Sequence, residues 1–213
     1  METLLNDITS SVESRTIELK KGDTLFDEGE ISTSIAFVEH GCLVLNKNNR
    51  SVLLRTNNEP VDLIPLFSHE STSFYSLQAT SDTKVRLFDR SQLQQFVMDR
   101  PQMVTRCMQQ VICQLNKVDN MIQILRETSA TKRLLSMMML NTRSEGIKKK
   151  QYYLEPDLNK MASISNISSR RAKKVLSNME SKNIVRSEQH KLIIKDMDAL
   201  KLLVAKADFL GDS

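Results

Sequence analysis

Long apolar runs are missing from this chain of 213 residues. The longest span only a few positions, such as Met137 to Leu140, against the roughly 20 that a membrane-crossing helix needs. No membrane partner is expected. METLLNDITSSVESR has no basic segment followed by an apolar one, so no signal peptide is expected either. Cysteine is sparse. Cys42, Cys107 and Cys113 are an odd number without paired spacing, which suits a reduced, cytoplasmic protein. The three histidines, His40, His69 and His190, are scattered, and no HxH with a downstream Glu offers the ligands of a metal-dependent barrel enzyme. No glycine-rich loop opens a helix, so a phosphate-cradling nucleotide fold is excluded. No nucleophile, base and orienting group stand together in the sequence. The expectation is a protein that is not an enzyme, with no catalytic residues, no metal and no cofactor.

What is there is an ordinary soluble composition, 40% hydrophobic and 26% charged, long enough for one or two domains. Its charge is divided unevenly. Up to Arg126 there are 13 Lys/Arg and 16 Asp/Glu, a net of −3; beyond it there are 17 and 10, a net of +7, and the two make up the +4 of the whole chain. A mildly acidic front and a basic back imply that only the back meets a polyanion.

From about Thr16 to Asp89 short apolar runs alternate with turn signals. Gly22 and Gly29 flank Leu25 and Phe26, two runs surround Gly41, a third follows the polar NKNN, and TKVRLF adds another. Such spacing predicts an antiparallel sandwich or barrel. A helix is expected before it, over Glu2 to Val12, and a short one after it, over Ser91 to Met98.

Pro101 to Arg126 is the longest regular stretch. Val104, Met108, Val111, Leu115, Val118, Ile122 and Leu125 recur at alternating spacings of four and three, an a/d heptad seam. Pro101 suits the first position of a helix. So narrow a stripe fits a partner helix, and the expected partner is a second copy of the chain; the alternative is a long helix buried within one chain. The β-branched Val104, Val111 and Val118 fall at d, whereas parallel two-stranded coils prefer such residues at a, so other parts of the chain must help to set the pairing. Cys107 counts to g, beside the seam, and Cys113 to f. Cys107 is either a redox reporter at that interface or a small packing residue.

Further on, Ser129 can cap a helix running to about Thr142, with Leu134, Leu135, Met138, Met139 and Leu140 as core filler and Gly146 as its end. A basic linker, IKKKQYY, follows. Pro156 suits the start of a short helix bearing Leu158, Met161 and Ala162. SISN breaks it, with Asn166 able to take the left-handed conformation of a tight turn. Ser168 caps a second helix, whose stripe is Ala172, Val175, Leu176 and Met179. Arg170 and Lys174 point almost opposite that stripe, with Lys173 and Ser177 beside them and Arg171 on the other side. Four cations in the first two turns oppose the helix dipole, at roughly 0.3–1 kcal/mol for a poorly placed one. A capping box would place Glu where Arg171 stands. A local rule broken at a cost points to function, and the N-terminal end of such a helix is the part that enters a DNA major groove. KNIVRSEQHKLIIKD then reads as two strands about a turn, and Asp198 to Lys206 as a helix packing through Leu202 and Leu203.

At this point the chain resembles the cyclic-AMP receptor protein/FNR superfamily of bacterial transcription regulators. LKKGDTLFDEGE and SIAFVEHGCLVL resemble the family's first β-roll turns, with Gly22, Gly29 and Gly41 in place. MASISNISSRRAKKVLSNMESKNIV resembles its helix–turn–helix, with Asn166 at the usual turn glycine. The resemblance implies an α+β chain: an antiparallel β-roll (double-stranded β-helix) over residues 1–100, a dimerisation helix over 101–128, and a winged helix–turn–helix over 129–213. It matches Ser169, Arg170 and Lys174 to base-reading positions; Ser168, Arg171, Lys173 and Ser177 then suit phosphates. The implied partners are double-stranded DNA, read as a palindrome by a homodimer, and RNA polymerase. The family's phosphate cassette is not kept. Asp62 and Leu63 stand where Gly-Glu is usual, and no Arg lies near Ser73 in sequence, so control by cyclic AMP is not expected. The cysteine cluster of FNR is also absent, and with it an iron–sulfur cluster. The competing reading is a small-molecule signalling module whose helix–turn–helix contacts proteins.

Overall fold

Turn residues divide the front of the chain into strands that pair antiparallel. The computed structural model describes residues 4–68, 72–145, 151–154, 158–188 and 191–206. It forms two units, 1–116 and 117–213, whose boundary falls inside the long helix. In the first unit β1 (Ser14–Leu19), β7 (Thr83–Asp89) and β3 (Ser34–His40) make one sheet, in the order β1-β7-β3. A second sheet runs β2 (Thr24–Phe26), β6 (Ser76–Ala79), β4 (Cys42–Lys47) and β5 (Arg50–Thr56). The hairpin β4–β5 turns on Asn48 and Asn49, both at positive φ, the geometry a tight two-residue turn demands. Gly41, between β3 and β4, has φ 91°, and a Cβ there would lie 2.6 Å from the Asp82 carbonyl oxygen, so only glycine fits.

Three helices close one core around Phe37 and Phe88, whose rings meet edge to face at 5.6 Å. α1 (Leu4–Thr9) brings Leu4, Leu5 and Ile8, shorter than the expected span, of which residues 2 and 3 lie outside the described ones. α2 (Arg90–Met98) brings Leu93 and Val97 and is capped by Asp89, whose carboxylate accepts from the Gln92 N–H at 3.0 Å. α3 (Pro101–Arg126) has the bounds the heptads predict and brings Met103 and Cys107. Arg106 ion-pairs with Asp7, tying α3 to α1.

The faces of α3 differ from the heptad count in two respects. Cys107 is fully buried in the core of the first unit, not beside an outward seam, and Val104 and Val111 are partly buried against the same core. The outward ridge is Met108, Ile112, Leu115, Ile122 and Leu125, with Ile112 a member that the count left out. A helix packed on one side and open on the other carries two apolar stripes, and counting along the sequence merges them.

In the second unit α4 (Ala130–Leu140) starts at Ser129, whose hydroxyl accepts from the Lys132 N–H, and buries Leu134, Leu135, Met137 and Met138. β8 (Arg143–Glu145) and β9 (Gln151–Leu154) follow, so Gln151 to Tyr153 form a strand where a linker was expected. Gly146, the lysines of that linker, Pro156, His69 and His190 lie outside the described residues. After α5 (Leu158–Ile164) and α6 (Ser169–Ser181) come β10 (Val185–Glu188) and β11 (Lys191–Ile194), in a sheet ordered β10-β11-β9-β8. α7 (Met197–Lys206) is anchored by fully buried Leu200, whereas Leu202 is exposed, contrary to expectation.

Candidate nucleic-acid interface

The connection between α5 and α6 is short because each of its residues has a structural task. The Ile167 N–H donates to the Ala162 carbonyl at 3.0 Å and the Asn166 N–H to that of Ser163 at 3.1 Å. This pair of bonds ends a helix on a left-handed residue, and Asn166 supplies it with φ 54°. Two residues later Ser168 caps α6, its hydroxyl accepting from the Arg171 N–H at 3.3 Å. α6 ends in the same way: Asn183 takes φ 55°, and the Ile184 N–H donates to the Met179 carbonyl at 2.9 Å.

Ala172 and Met179 are buried and Val175 and Leu176 half-buried, so the expected stripe is the packed side of α6. Glu180 holds the far end, accepting from the Ser187 N–H at 3.2 Å and its hydroxyl at 2.5 Å, which docks α6 on β10. Ser168, Ser169, Arg170, Lys173, Lys174 and Ser177 are all exposed, while Arg171 is half-buried and has a partner. Among the described residues Arg170, Lys173 and Lys174 meet no carboxylate. Cations in the first two turns of a helix oppose its own dipole.

The first unit treats charge differently. Arg55, on β5, is only 5% exposed. Its Nε donates to the Val61 carbonyl at 3.1 Å and one terminal nitrogen to that of Leu54 at 3.4 Å. Burial pulls its guanidinium below the usual value, against the fields of Glu59, Asp62 and Tyr75. Burial also pushes the Asp62 carboxyl up, opposed by the Ile64 N–H it accepts at 2.9 Å and by Arg55. Beside them Phe26, Ser32, Val61, Asp62, Pro65 and Ser73 line a pocket of about 30 Å³. Sequence reasoning missed Arg55, since the distant β5 supplies it and an isolated Arg reads as surface. Among the described residues no cluster of His, Cys, Asp or Glu could hold a metal ion, and no helix is long and apolar enough to cross a membrane.

Residues 16–100 match the family model of the cyclic nucleotide-binding domain. No curated protein is similar enough in sequence to count as a relative. Among solved structures, FixK2 from Bradyrhizobium japonicum is similar at 14% identity and a TM-score of 0.75, over 90% of this chain and 98% of that one. CooA from Carboxydothermus hydrogenoformans is similar at 16% and 0.70, over 95% and 96%. TTHA1359 from Thermus thermophilus, a transcriptional regulator of the CRP/FNR family, is similar at 15% and 0.62, over 90% and 98%. Residues 16–100 thus match the cyclic nucleotide-binding domain, and over most of its length the chain has the fold seen in solved structures such as FixK2 and TTHA1359.

Proposed function

We propose that the protein is a sequence-specific DNA-binding transcription regulator, acting as a homodimer on a palindromic site without control by cyclic AMP. The observation that carries the reading is the start of α6, where Arg170, Lys173 and Lys174 stand exposed in the first two turns and, among the described residues, meet no carboxylate. α5 and α6 then act as the helix–turn–helix, with the β10–β11 hairpin as its wing. Arg170 addresses a guanine edge with its two-pronged guanidinium, helped by Ser169 and Lys174. Ser168, Arg171, Lys173 and Ser177 hold phosphates.

The outward ridge of α3 supports pairing of two chains. Leu115 is 63% exposed and Ile112 52%, levels at which an apolar row gains most from a partner. Two α6 helices related by a two-fold would read half-sites about one turn, roughly 34 Å, apart. Absence of cyclic AMP control is supported by the pocket: a carboxyl lines its wall and, among the described residues, no arginine does, the nearby Arg55 being 5% exposed and bonded to the Val61 carbonyl. The deciding experiment selects duplexes from a random library with the full chain. It then measures affinity for the selected and a scrambled duplex at two salt concentrations, beside sedimentation of the free protein. A palindromic consensus bound by a dimer is the expected result. Equal affinity for both duplexes, or a single-chain species alone, would overturn the reading.

A further inference from the structure

Arg133, on α4, directs its hydrogen bonds at carbonyl oxygens at the ends of two other helices. One terminal nitrogen donates to the carbonyls of Glu127 at 2.8 Å and Thr128 at 3.0 Å, immediately past the end of α3. Its Nε donates to the Ser165 carbonyl at 2.9 Å and its other terminal nitrogen to that of Asn166 at 3.2 Å, at the end of α5. Among the described residues it has no carboxylate partner. Helix C-termini leave carbonyls without intrahelical donors and carry partial negative charge, so one guanidinium answers two helix ends at once. Ser165 is fully buried, so little water is available there to replace the arginine.

Placement gives this contact a consequence. Asn166 is the left-handed residue of the turn and Ser168, two positions on, caps α6. Clamping the Ser165 and Asn166 carbonyls to those of Glu127 and Thr128 therefore fixes where α6 begins relative to the last turn of α3. The planar, forked guanidinium can hold both directions together; an ammonium, with one donor centre, cannot. We infer that Arg133 is a positioning residue that sets the pointing of α6 from the end of α3, and so sets sequence discrimination without touching DNA. The inference rests on the reading of α6 as the DNA-contacting helix.

The test uses the full chain with Arg133→Gln and Arg133→Lys. Affinity for the selected duplex is expected to fall about tenfold or more in Arg133→Gln, with affinity for a scrambled duplex and its salt slope unchanged, because phosphate contacts tolerate a loosened helix and base contacts do not. Arg133→Lys, which keeps the charge and loses the fork, is expected to fall in the same direction. It also serves as the decisive variant if Arg133→Gln does not fold. A merely structural role would lower thermal stability and both affinities together, leaving their ratio as in wild type, and that result would overturn the inference. A readout without DNA separates the two readings. Spin labels at Gln123 and Ser177, in a Cys113→Ser background, should give a broader distance distribution in the variants. If wild type discriminates no duplex, the functional reading fails, and unchanged label distances then overturn the positioning role independently.

Discussion

Arg55 and Arg170 carry the same side chain to opposite ends. In the first unit Arg55 lies inside the protein, two of its donors taken by the Val61 and Leu54 carbonyls and its field shared with Asp62. In the second Arg170 stands in solvent at the start of α6 and, among the described residues, meets no carboxylate. Burying a charge is costly unless hydrogen bonds are made to it inside the protein. Displaying a cation at a helix N-terminus is also unfavourable, but that cost is recovered when an anion arrives. Arg55 thus turns its charge inward, while Arg170 presents its charge to solvent.

Exchanging symptoms is the sharpest way to break this contrast. Arg55→Met should destabilise the first unit by roughly 1–3 kcal/mol, because the carbonyls it served are left buried and unpaired. Urea denaturation would read this, and an unchanged midpoint would mean that the guanidinium is not internally committed. Arg170→Ala should leave the midpoint within about 0.5 kcal/mol, as an exposed surface change does. It should instead cost about 1–3 kcal/mol of affinity at one base position of the selected duplex. Lys173→Ala should have a smaller and different effect, weakening all duplexes alike and reducing the salt slope by about one.

The displayed half of this contrast was legible in the sequence and the buried half was not. Exposed cations on α6 follow from a 3.6-residue stripe, a Ser cap and a left-handed Asn, all local signals that the structure repeats at Ser168, Asn166, Ala172 and Met179. The bounds of α3 were legible for the same reason. Arg55 and Asp62 were not, because their burial depends on pairings between strands distant in sequence. The pairing of Arg143 with Tyr153 was hidden likewise: it is set by register across a charged stretch that reads as a linker. Leu200 rather than Leu202 anchors α7, since which side of a short helix faces the core is set by its neighbours.

A milder test concerns Asp62. Burial raises its carboxyl above the ordinary 3.8. A carboxyl raised on folding adds stability that is fully present below its unfolded value and is lost as pH rises through the folded one. Asp62→Asn keeps an oxygen to accept the Ile64 N–H and removes the titration. The variant should therefore equal or exceed wild type at pH 7, and wild type should gain on it as the solution is acidified toward 3.8. Denaturation midpoints against pH would show this; a wild type that loses ground on acidification would place Asp62 in a stabilising ion pair instead.

The two faces of α3 repeat the contrast without charge, and its cysteines report it with almost no energetic cost. Cys42 and Cys107 are buried and Cys113 is exposed. Burial pushes the Cys107 thiol up to about 11, so at pH 8 roughly one in a thousand is the reactive thiolate. A disulfide reagent should modify one thiol per native chain at once and the other two only after unfolding. Cys113 lies some 140° around the helix from Met108 on a 100° wheel, so pairing along the outward ridge should leave it reactive. Cys107→Ser should leave DNA binding equally indifferent to peroxide and reductant, because a thiol inside the core meets neither. A fast-reacting Cys107 in the native protein would mean that α3 is rotated about its axis. The ridge of Met108, Ile112 and Leu115 would then face the core, and the pairing surface would have to be sought on the side that holds Cys107.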